Sequence, residues 1–290
     1  MRLTRPAHRA VALLAALAVT SGSAVALGLP AASASVSAVA SKRTEPAMPN
    51  KFKIKSVQAH LNELGFPFLQ TDGVEGGFTS NNLCAAREVF KKDSYGKNAI
   101  LADQLGRAKM TKDYSNRLLA RTKLPEPRTY MRVGMNVNKT CQIAYWVGEK
   151  KDGTRYYRAI FRVSTGSKKL YEPTEAHPDG NFQTPSGVYS LKWLPGTLWS
   201  NSSTYPLDGS ECKVKGPNNE CGNMYRPMYF TTIGDALHGR TPPYAEILDY
   251  FPASHGCVRM YHRDIDALYD GGFANYSSIV QIYGDWVDEA

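Results

Sequence analysis

Near its carboxyl end the sequence places a cysteine among histidines. The stretch runs Ser254-His255-Gly256-Cys257-Val258-Arg259-Met260, and His238-Gly239 lies upstream of it. A thiol becomes a good nucleophile when a neighbouring imidazole accepts its proton or, as imidazolium, stabilises the thiolate. Gly256 leaves the backbone bare beside the sulfur, so a substrate carbonyl can approach and adjacent N–H groups can face a developing oxyanion. These residues predict covalent catalysis by Cys257, with Ser254 orienting an imidazole by hydrogen bonding.

Two other interpretations of Cys257 compete with catalysis. Cysteine is among the most buried residue types, so the residue would be a structural thiol or a disulfide partner. Alternatively, His238, His255, Cys257 and His262 would bind zinc, whose usual protein ligands include His and Cys. The sequence has no C-x-x-C or H-E-x-x-H spacing. We therefore predict no metal and no other cofactor, and expect His262 to start a helix or lie on the surface.

Residues 1–40 predict export. Three arginines precede an apolar Ala/Leu/Val run, and small residues with candidate A-x-A cuts follow at Ala34 and Ala40, which is the pattern of a cleaved secretory signal peptide. A membrane anchor is the alternative, but Thr20 to Ser23 interrupts the run before the roughly 20 apolar residues that a spanning helix needs. We expect a secreted protein whose mature chain has no integral membrane span.

Charge indicates the kind of partner. The net charge of +9 falls to +6 without the three arginines of the leader, and no dense Lys/Arg block remains. A basic surface suits an anionic polymer such as a cell wall. Export and the lack of a nucleic-acid motif argue against nucleic acid as the partner.

The cysteine count is odd. Five cysteines in an exported chain leave one thiol unpaired or intermolecular. Cys212 and Cys221 stand in a polar stretch rich in Gly, Pro and Asn, a natural span for a disulfide, and Cys84 and Cys141 would then form the second. The sequence allows other pairings, and this one is preferred mainly because it leaves Cys257 free.

Four motifs in order resemble the L,D-transpeptidase (YkuD-like) family. Its signature is a histidine, a gap, and then Ser/Thr-His-Gly-Cys; here sixteen residues separate His238 from His255. Further similar segments are Val163-Ser164-Thr165-Gly166 at a strand end, the Thr-Pro-x-Gly-x-aromatic turn Thr184-Pro185-Ser186-Gly187-Val188-Tyr189, and Met228-Tyr229-Phe230.

The resemblance implies a thioester mechanism on peptidoglycan stem peptides. Cys257 would attack the carbonyl after an L-centre of a tetrapeptide stem and expel the terminal D-residue, and a side-chain amine of a neighbouring stem would resolve the thioester. His238 would be the principal base, oriented by a backbone carbonyl, and His255 a second imidazole near the thiol. The N–H groups of Gly256 and Cys257 would serve the oxyanion. Carbapenem-type β-lactams would acylate the same sulfur.

The resemblance also assigns residues around the substrate. Tyr229 would line the donor groove, Gly239 would also belong to the substrate-binding residues, and Arg259 would either pair with a substrate carboxylate or hold the loop. The stretch 195–225 lies where the family carries a flap over the active site. A Cys212–Cys221 disulfide there would reduce the flap's conformational freedom and narrow the choice of substrate.

Two rival functions stay open. A wall cysteine hydrolase, such as an L,D-carboxypeptidase, would use the same thioester with water as the acceptor. A non-catalytic wall-binding protein would keep only the fold, although the presence of both His238 and Cys257 speaks against it.

The elements that position these residues change character along the chain. Alternating side chains at 131–137, 157–163 and 189–193 predict half-buried strands, and one helix is expected near Asp264 to Asp270. Arg158 and Arg162, on the other face of the second strand, are expected to be solvated. Short strands with Gly/Pro/Asp turns predict an α+β fold: a mainly antiparallel, sandwich-like catalytic domain at 125–290.

The preceding part, 41–124, is predicted to be a small all-helical domain. Apolar residues fall on helical faces on both sides of a glycine-rich turn, Thr79 is the expected N-cap of the second helix, and a third helix is expected from Thr111. Val57-Gln58, Leu61-Asn62, Leu64-Gly65 and Asp72-Gly73-Val74 resemble the peptidoglycan-binding helical repeat of wall hydrolases. A module that only supports the next domain is the alternative. Pro125-Glu126-Pro127 is the predicted linker.

Overall fold

The computed structural model describes residues 50–90, 101–102, 108–167, 178–202, 208–242 and 247–285. The predicted signal peptide lies outside them. The fold is α+β, as predicted, and the helices and strands of the described residues are, in chain order, α1 Lys51–Glu63, α2 Gly77–Val89, β1 Leu101–Ala102, β2 Ala108–Lys109, α3 Lys112–Leu119, β3 Gly134–Asn138, β4 Ile143–Glu149, β5 Arg155–Arg162, β6 Gly187–Ser190, β7 Trp199–Ser200, β8 Met224–Tyr229, β9 Ala236–Arg240, β10 Val258–Met260, α4 His262–Asp270 and β11 Ile279–Tyr283.

Helices α1 to α3 form the predicted helical region, which we call the helical module. Thr111 is the N-cap of α3, and its hydroxyl accepts from the N–H of Tyr114 at 3.1 Å. The expected N-cap of α2 was wrong, because the helix begins at Gly77 with Gly76 as its cap. The hydroxyl of Thr79, inside α2, instead accepts a hydrogen bond from the Gln58 side chain at 3.2 Å, which connects α2 to α1.

Between α2 and α3, the region predicted to be all helical also contains a small antiparallel sheet of β1 and β2. Two larger sheets and α4 make up most of the rest of the described structure. One has the strand order β5-β4-β3-β11-β6 and the other the order β10-β9-β8-β7. Pairing is mainly antiparallel, with the exceptions of β3 with β11 and β9 with β10. Parallel neighbours need a crossover connection, so the chain leaves β9 and returns to the same end of the sheet before β10. That returning segment carries the histidine-glycine-cysteine motif.

Both faces of the five-stranded sheet are covered. Alternate residues of β4 and β5, such as Ala144, Trp146 and Phe161, pack with the second sheet and α4. Their neighbours, such as Tyr145 and Ile160, pack with the helical module. Strands β3 and β4 are therefore buried on both faces, whereas β6 and the first half of β5 are partly exposed.

The helical module is also joined to the sheet by a disulfide and a polar cluster. Cys84 of α2 is bonded to Cys141. The Glu88 carboxylate accepts hydrogen bonds from three tyrosine hydroxyls and one amide, those of Tyr130, Tyr145, Tyr283 and Asn138, at 2.5 to 2.8 Å. All described residues lie in one compact unit, and the domain boundary between 124 and 125 stays a prediction. Within the described ranges, no helix has the length and apolar character needed to cross a membrane.

Candidate active site

Strand register brings His238 and Cys257 to the same face of the second sheet. In the parallel pair β9 and β10, Leu237 lies opposite Val258 and His238 opposite Arg259. Leu237 and Val258 point into the core, so His238 and Arg259 point to the other face. Cys257 precedes β10 and packs against Ala236, which lies two residues from His238 in β9 and therefore on the same face.

The sulfur of Cys257 lies in an apolar corner at the start of β9. Among the five cysteines, all of which are described, it is the free one, and the residue is partly exposed. Its side chain packs against Met224, Tyr229 and Ala236, and Sγ lies 3.8 Å from the carbonyl oxygen of Gly234. Burial, with the Asp235 carboxylate adding to the effect, raises the pKa of the thiol to about 12. The resting side chain is therefore a neutral thiol.

His238 is held in one tautomer. Its Nδ1 lies 2.8 Å from the carbonyl oxygen of Gly239, and a carbonyl only accepts, so Nδ1 carries the proton and Nε2 keeps the lone pair. Burial lowers the pKa of His238 to about 3, and the positive charges of Arg259 and Arg240 lower it further. The hydrogen bond to Gly239 has the opposite, smaller effect and raises the pKa. The imidazole is thus neutral and can accept a proton at Nε2.

Residues 254–257 form a closed turn. The hydroxyl of Ser254 donates to the carbonyl oxygen of Cys257, so in this structure it closes the loop around the cysteine. Gly256, between them, has a φ of +109°, a value that residues with a side chain rarely adopt. The backbone N–H of Ser254 donates to the carbonyl of Thr165 at 3.0 Å. Local chain geometry and a neighbouring segment therefore both fix the loop.

Thr184 and Gly166 hold the loop 254–257 in place through the contacts below. The sequence did not predict this role for either residue. The Thr184 hydroxyl donates to the carbonyl of Gly256 at 2.7 Å and accepts from the N–H of Gly166 at 2.7 Å. A Cβ on Gly166 would come within 2.9 Å of the Gly256 Cα. The resemblance had marked both residues within motifs, and a tertiary contact explains why those motifs belong together.

The predicted substrate residues occupy three different positions. Tyr229 lies beside Cys257, and its buried hydroxyl donates to the carbonyl of Asn201 at 3.3 Å. The Arg259 guanidinium donates to the carbonyl of Ala253 at 2.8 Å, which fits the loop-holding role. Gly239 accepts from His238, and a Cβ there would collide with the His262 ring.

The other two histidines are placed differently. The His255 ring meets the Phe182 ring edge-on at 4.9 Å between centroids. His262 is the first residue of α4, as expected, and stacks on the Tyr225 ring at 3.9 Å. Within the described residues, no group of three His, Cys, Asp or Glu side chains is arranged to hold a metal ion.

Trp193 is a site residue that sequence reasoning missed. Its alternation with Tyr189 and Leu191 suggested a half-buried strand position, but β6 ends at Ser190 and Trp193 is 52% exposed. Its ring stacks on Tyr229 at 4.7 Å between centroids, with 22° between the ring planes. An exposed aromatic face therefore continues from the neighbourhood of the thiol to the surface.

The predicted disulfides are both present. Cys84 is bonded to Cys141 and Cys212 to Cys221. Part of the expected flap, 203–207, lies outside the described residues. The part of the flap before these residues contains β7, which pairs with β8. It also contains Asn201, whose carbonyl accepts from the Tyr229 hydroxyl.

Comparison with known proteins gave a match to one family model and several similar solved structures. Residues 134–271 match the family model of the YkuD L,D-transpeptidase catalytic domain. This part of the chain is a YkuD L,D-transpeptidase catalytic domain. A comparison with curated proteins gave no match.

Similar solved structures include the L,D-transpeptidase from Xylanimonas cellulosilytica, with 21% identity, 82% of this chain and 96% of that chain covered, and a TM-score of 0.46. Another is LD transpeptidase LdtMt1 in complex with imipenem, with 13% identity, coverages of 51% and 57%, and a TM-score of 0.34. A third is L,D-transpeptidase 3 from Mycobacterium tuberculosis in complex with a faropenem-derived adduct, with 16% identity, coverages of 51% and 58%, and a TM-score of 0.33. The chain spans a little over half the length of the last two.

Proposed function

We propose that the protein is an exported L,D-transpeptidase that forms peptidoglycan cross-links, or attaches acceptors to tetrapeptide stems, through a thioester on Cys257. One observation carries the proposal: within the YkuD domain the free thiol shares a sheet face with a neutral histidine whose unprotonated nitrogen is Nε2. Two disulfides support export, because such bonds persist in oxidising compartments. Binding of the wall by the helical module belongs to the same proposal.

The first half of the reaction forms the acyl-enzyme. Sγ of Cys257 attacks the carbonyl after the L-centre of the donor stem, and the thiol proton passes to Nε2 of His238. The N–H groups of Gly256 and Cys257 donate to the tetrahedral oxyanion. When the C–N bond breaks, the leaving D-residue takes the proton from His238. A thioester and a free amino acid result.

The second half transfers the acyl group. A side-chain amine of a neighbouring stem attacks the thioester carbonyl and loses a proton to His238, and the C–S bond breaks as the sulfur regains a proton. Because the pKa of Cys257 is near 12 and that of His238 near 3, a preformed thiolate–imidazolium pair is strongly disfavoured in the resting enzyme. Proton transfer therefore accompanies attack of the sulfur.

Muropeptide analysis tests the proposal. The wild type and Cys257→Ala are incubated with wall fragments that bear tetrapeptide stems, and the products are separated and weighed by mass spectrometry. New cross-linked dimers that require Cys257 are expected. Trimmed stems without dimers would assign the L,D-carboxypeptidase reaction instead, and identical products with both proteins would leave a wall-binding role.

Carbapenem acylation is the second test. A strained β-lactam carbonyl should acylate the same sulfur. The mass of the wild type should therefore increase by that of one imipenem molecule, attached to Cys257 and to no other cysteine. Peptide mapping locates the adduct, and the absence of any adduct on Cys257 would contradict the assignment of the nucleophile.

A further inference from the structure

The segment that carries Cys257 is connected to the helical module at both ends, directly at Tyr250 and, at Tyr261, through Arg162 of β5. Tyr250 and Phe251 lie before the closed turn, and Tyr261 follows β10. We call residues 250–261 the nucleophile segment. Its contacts with the helical module are distinct from those that the catalytic residues make with one another.

The upstream contact is made by the first turns of α2. Asn81, 2% exposed, donates its side-chain N–H to the carbonyl of Tyr250 at 2.9 Å. The Tyr250 ring lies so close to Gly77 that a Cβ on this glycine would overlap it. Phe78 meets the same ring edge-on at 5.9 Å between centroids. The segment is therefore held by a hydrogen bond and by packing on one helix end.

Phe251, the next residue of the nucleophile segment, is hydrogen-bonded to Ser164, which in turn pairs with Arg259 of β10. The hydroxyl of Ser164 donates to the carbonyl of Phe251 at 3.0 Å. The backbone of Ser164 exchanges two hydrogen bonds with Arg259, at 2.9 and 3.0 Å. Contacts with α2 therefore fix residues 250–251, and Ser164 connects these residues to β10, the strand that follows Cys257.

Arg162 makes the downstream contact. This residue was expected to be solvated, but it is 7% exposed. Its guanidinium donates to the carbonyl of Phe68 at 2.9 Å and to the hydroxyl of Tyr261 at 3.3 Å. The guanidinium carbon also lies 3.8 Å from the centroid of the Phe78 ring. One buried cation therefore connects two residues of the helical module to the residue that follows β10.

We propose that the helical module positions the nucleophile: Asn81 and Arg162 fix the two ends of the nucleophile segment and so set the orientation of Cys257 toward its base and substrate. These are positioning residues, because neither touches the reacting atoms. The inference rests on the proposed function, and it adds to wall binding a role for the helical module in the chemical step. A misplacement of about 1 Å in a reacting group can cost about a hundredfold in rate.

The test compares Asn81→Ala with Asn82→Ala in the full-length protein. Asn82 is the adjacent residue of the same helix, is equally buried, and donates to the carbonyl of Pro67 at 2.7 Å, inside the helical module. Both substitutions remove one buried side-chain hydrogen bond to a carbonyl. Only Asn81→Ala releases the nucleophile segment.

Imipenem acylation is followed by mass spectrometry over time at several drug concentrations, well below the Tm of each variant. Asn81→Ala should lower the limiting acylation rate about tenfold or more, with the half-saturating concentration little changed, while Asn82→Ala stays within about twofold of the wild type. Equal rates for the two variants would overturn the proposal.

Tyr261→Phe provides a second variant that keeps the shape of the segment. It removes the hydroxyl that accepts from Arg162, and the proposal requires a slower limiting acylation rate here as well. If Asn81→Ala fails to fold, a wild-type rate in Tyr261→Phe overturns the proposal by itself. Failure of the proposed function would look different, because the wild type itself would then show no adduct on Cys257.

Discussion

Thr184→Val should damage the oxyanion site more than any substitution of similar size nearby. The Thr184 hydroxyl donates to the carbonyl of Gly256. This carbonyl and the N–H of Cys257 belong to one planar peptide group, so the hydroxyl also fixes the direction of an N–H that we assign to the oxyanion. Valine has nearly the same shape and cannot make the bond.

The cost can be worked from the contacts. Valine leaves the carbonyl of Gly256 and the N–H of Gly166 without this partner, and each buried group without a partner costs about 1 to 3 kcal/mol. We expect the free energy of unfolding to fall by about 4 kcal/mol, and Tm by about 8 to 16 °C. Loss of one oxyanion donor lowers the rate of acyl transfer about a hundredfold or more.

The assay is imipenem acylation measured by mass spectrometry, with thermal unfolding followed by circular dichroism. Thr184→Ser is the control, because it keeps the hydroxyl and loses only a methyl group, worth about 1 kcal/mol. It should acylate at nearly the wild-type rate. Acylation of folded Thr184→Val at a rate similar to that of Thr184→Ser would refute the link between this hydroxyl and the oxyanion site.

Three further predictions concern the base, the groove and the flap. Because burial holds the pKa of His238 near 3 and that of Cys257 near 12, acylation by imipenem should be flat from about pH 5 to 9; a decline centred near pH 6.5, the ordinary value for histidine, would contradict this. Trp193→Ala should raise KM for a tetrapeptide donor about tenfold with little change in kcat, since it removes an exposed face but no reacting group; Trp193→Tyr should recover most of the affinity. Cys212→Ser should broaden donor choice by freeing the loop that the disulfide closes, and an unchanged ratio of kcat/KM values for two donor stems would exclude that role.

Much of the site could be predicted from residues that stand together in the sequence. The turn 254–257 lies within four consecutive residues, so its glycine and its nucleophile are visible without a structure. The odd cysteine count favoured a free Cys257, and the structure confirms it. Helix α3 begins directly after Thr111, as predicted, and α4 ends at Asp270 as expected but begins at His262, two residues before the expected Asp264.

Strand periodicity predicted which side chains of a strand share a face, but not which part of the protein packs against that face. The alternation in β5 correctly placed Phe161 and Arg162 on opposite faces. The charge of Arg162 predicted that its face would be solvated. The helical module covers that side, so the guanidinium is buried among Phe68, Phe78 and Tyr261. Period two records only that neighbouring side chains point apart.

The sequence by itself determined which residues we propose for the chemistry, because a thiol, its imidazoles and a glycine without a side chain are identified by residue type and short spacing. Only the tertiary structure decided which groups hold that chemistry in place. The contacts of Thr184 with Gly256 and of Asn81 with Tyr250 depend on how separate parts of the chain pack together. Both contacts join residues that are distant in the sequence, and local periodicity carries no information about such pairs.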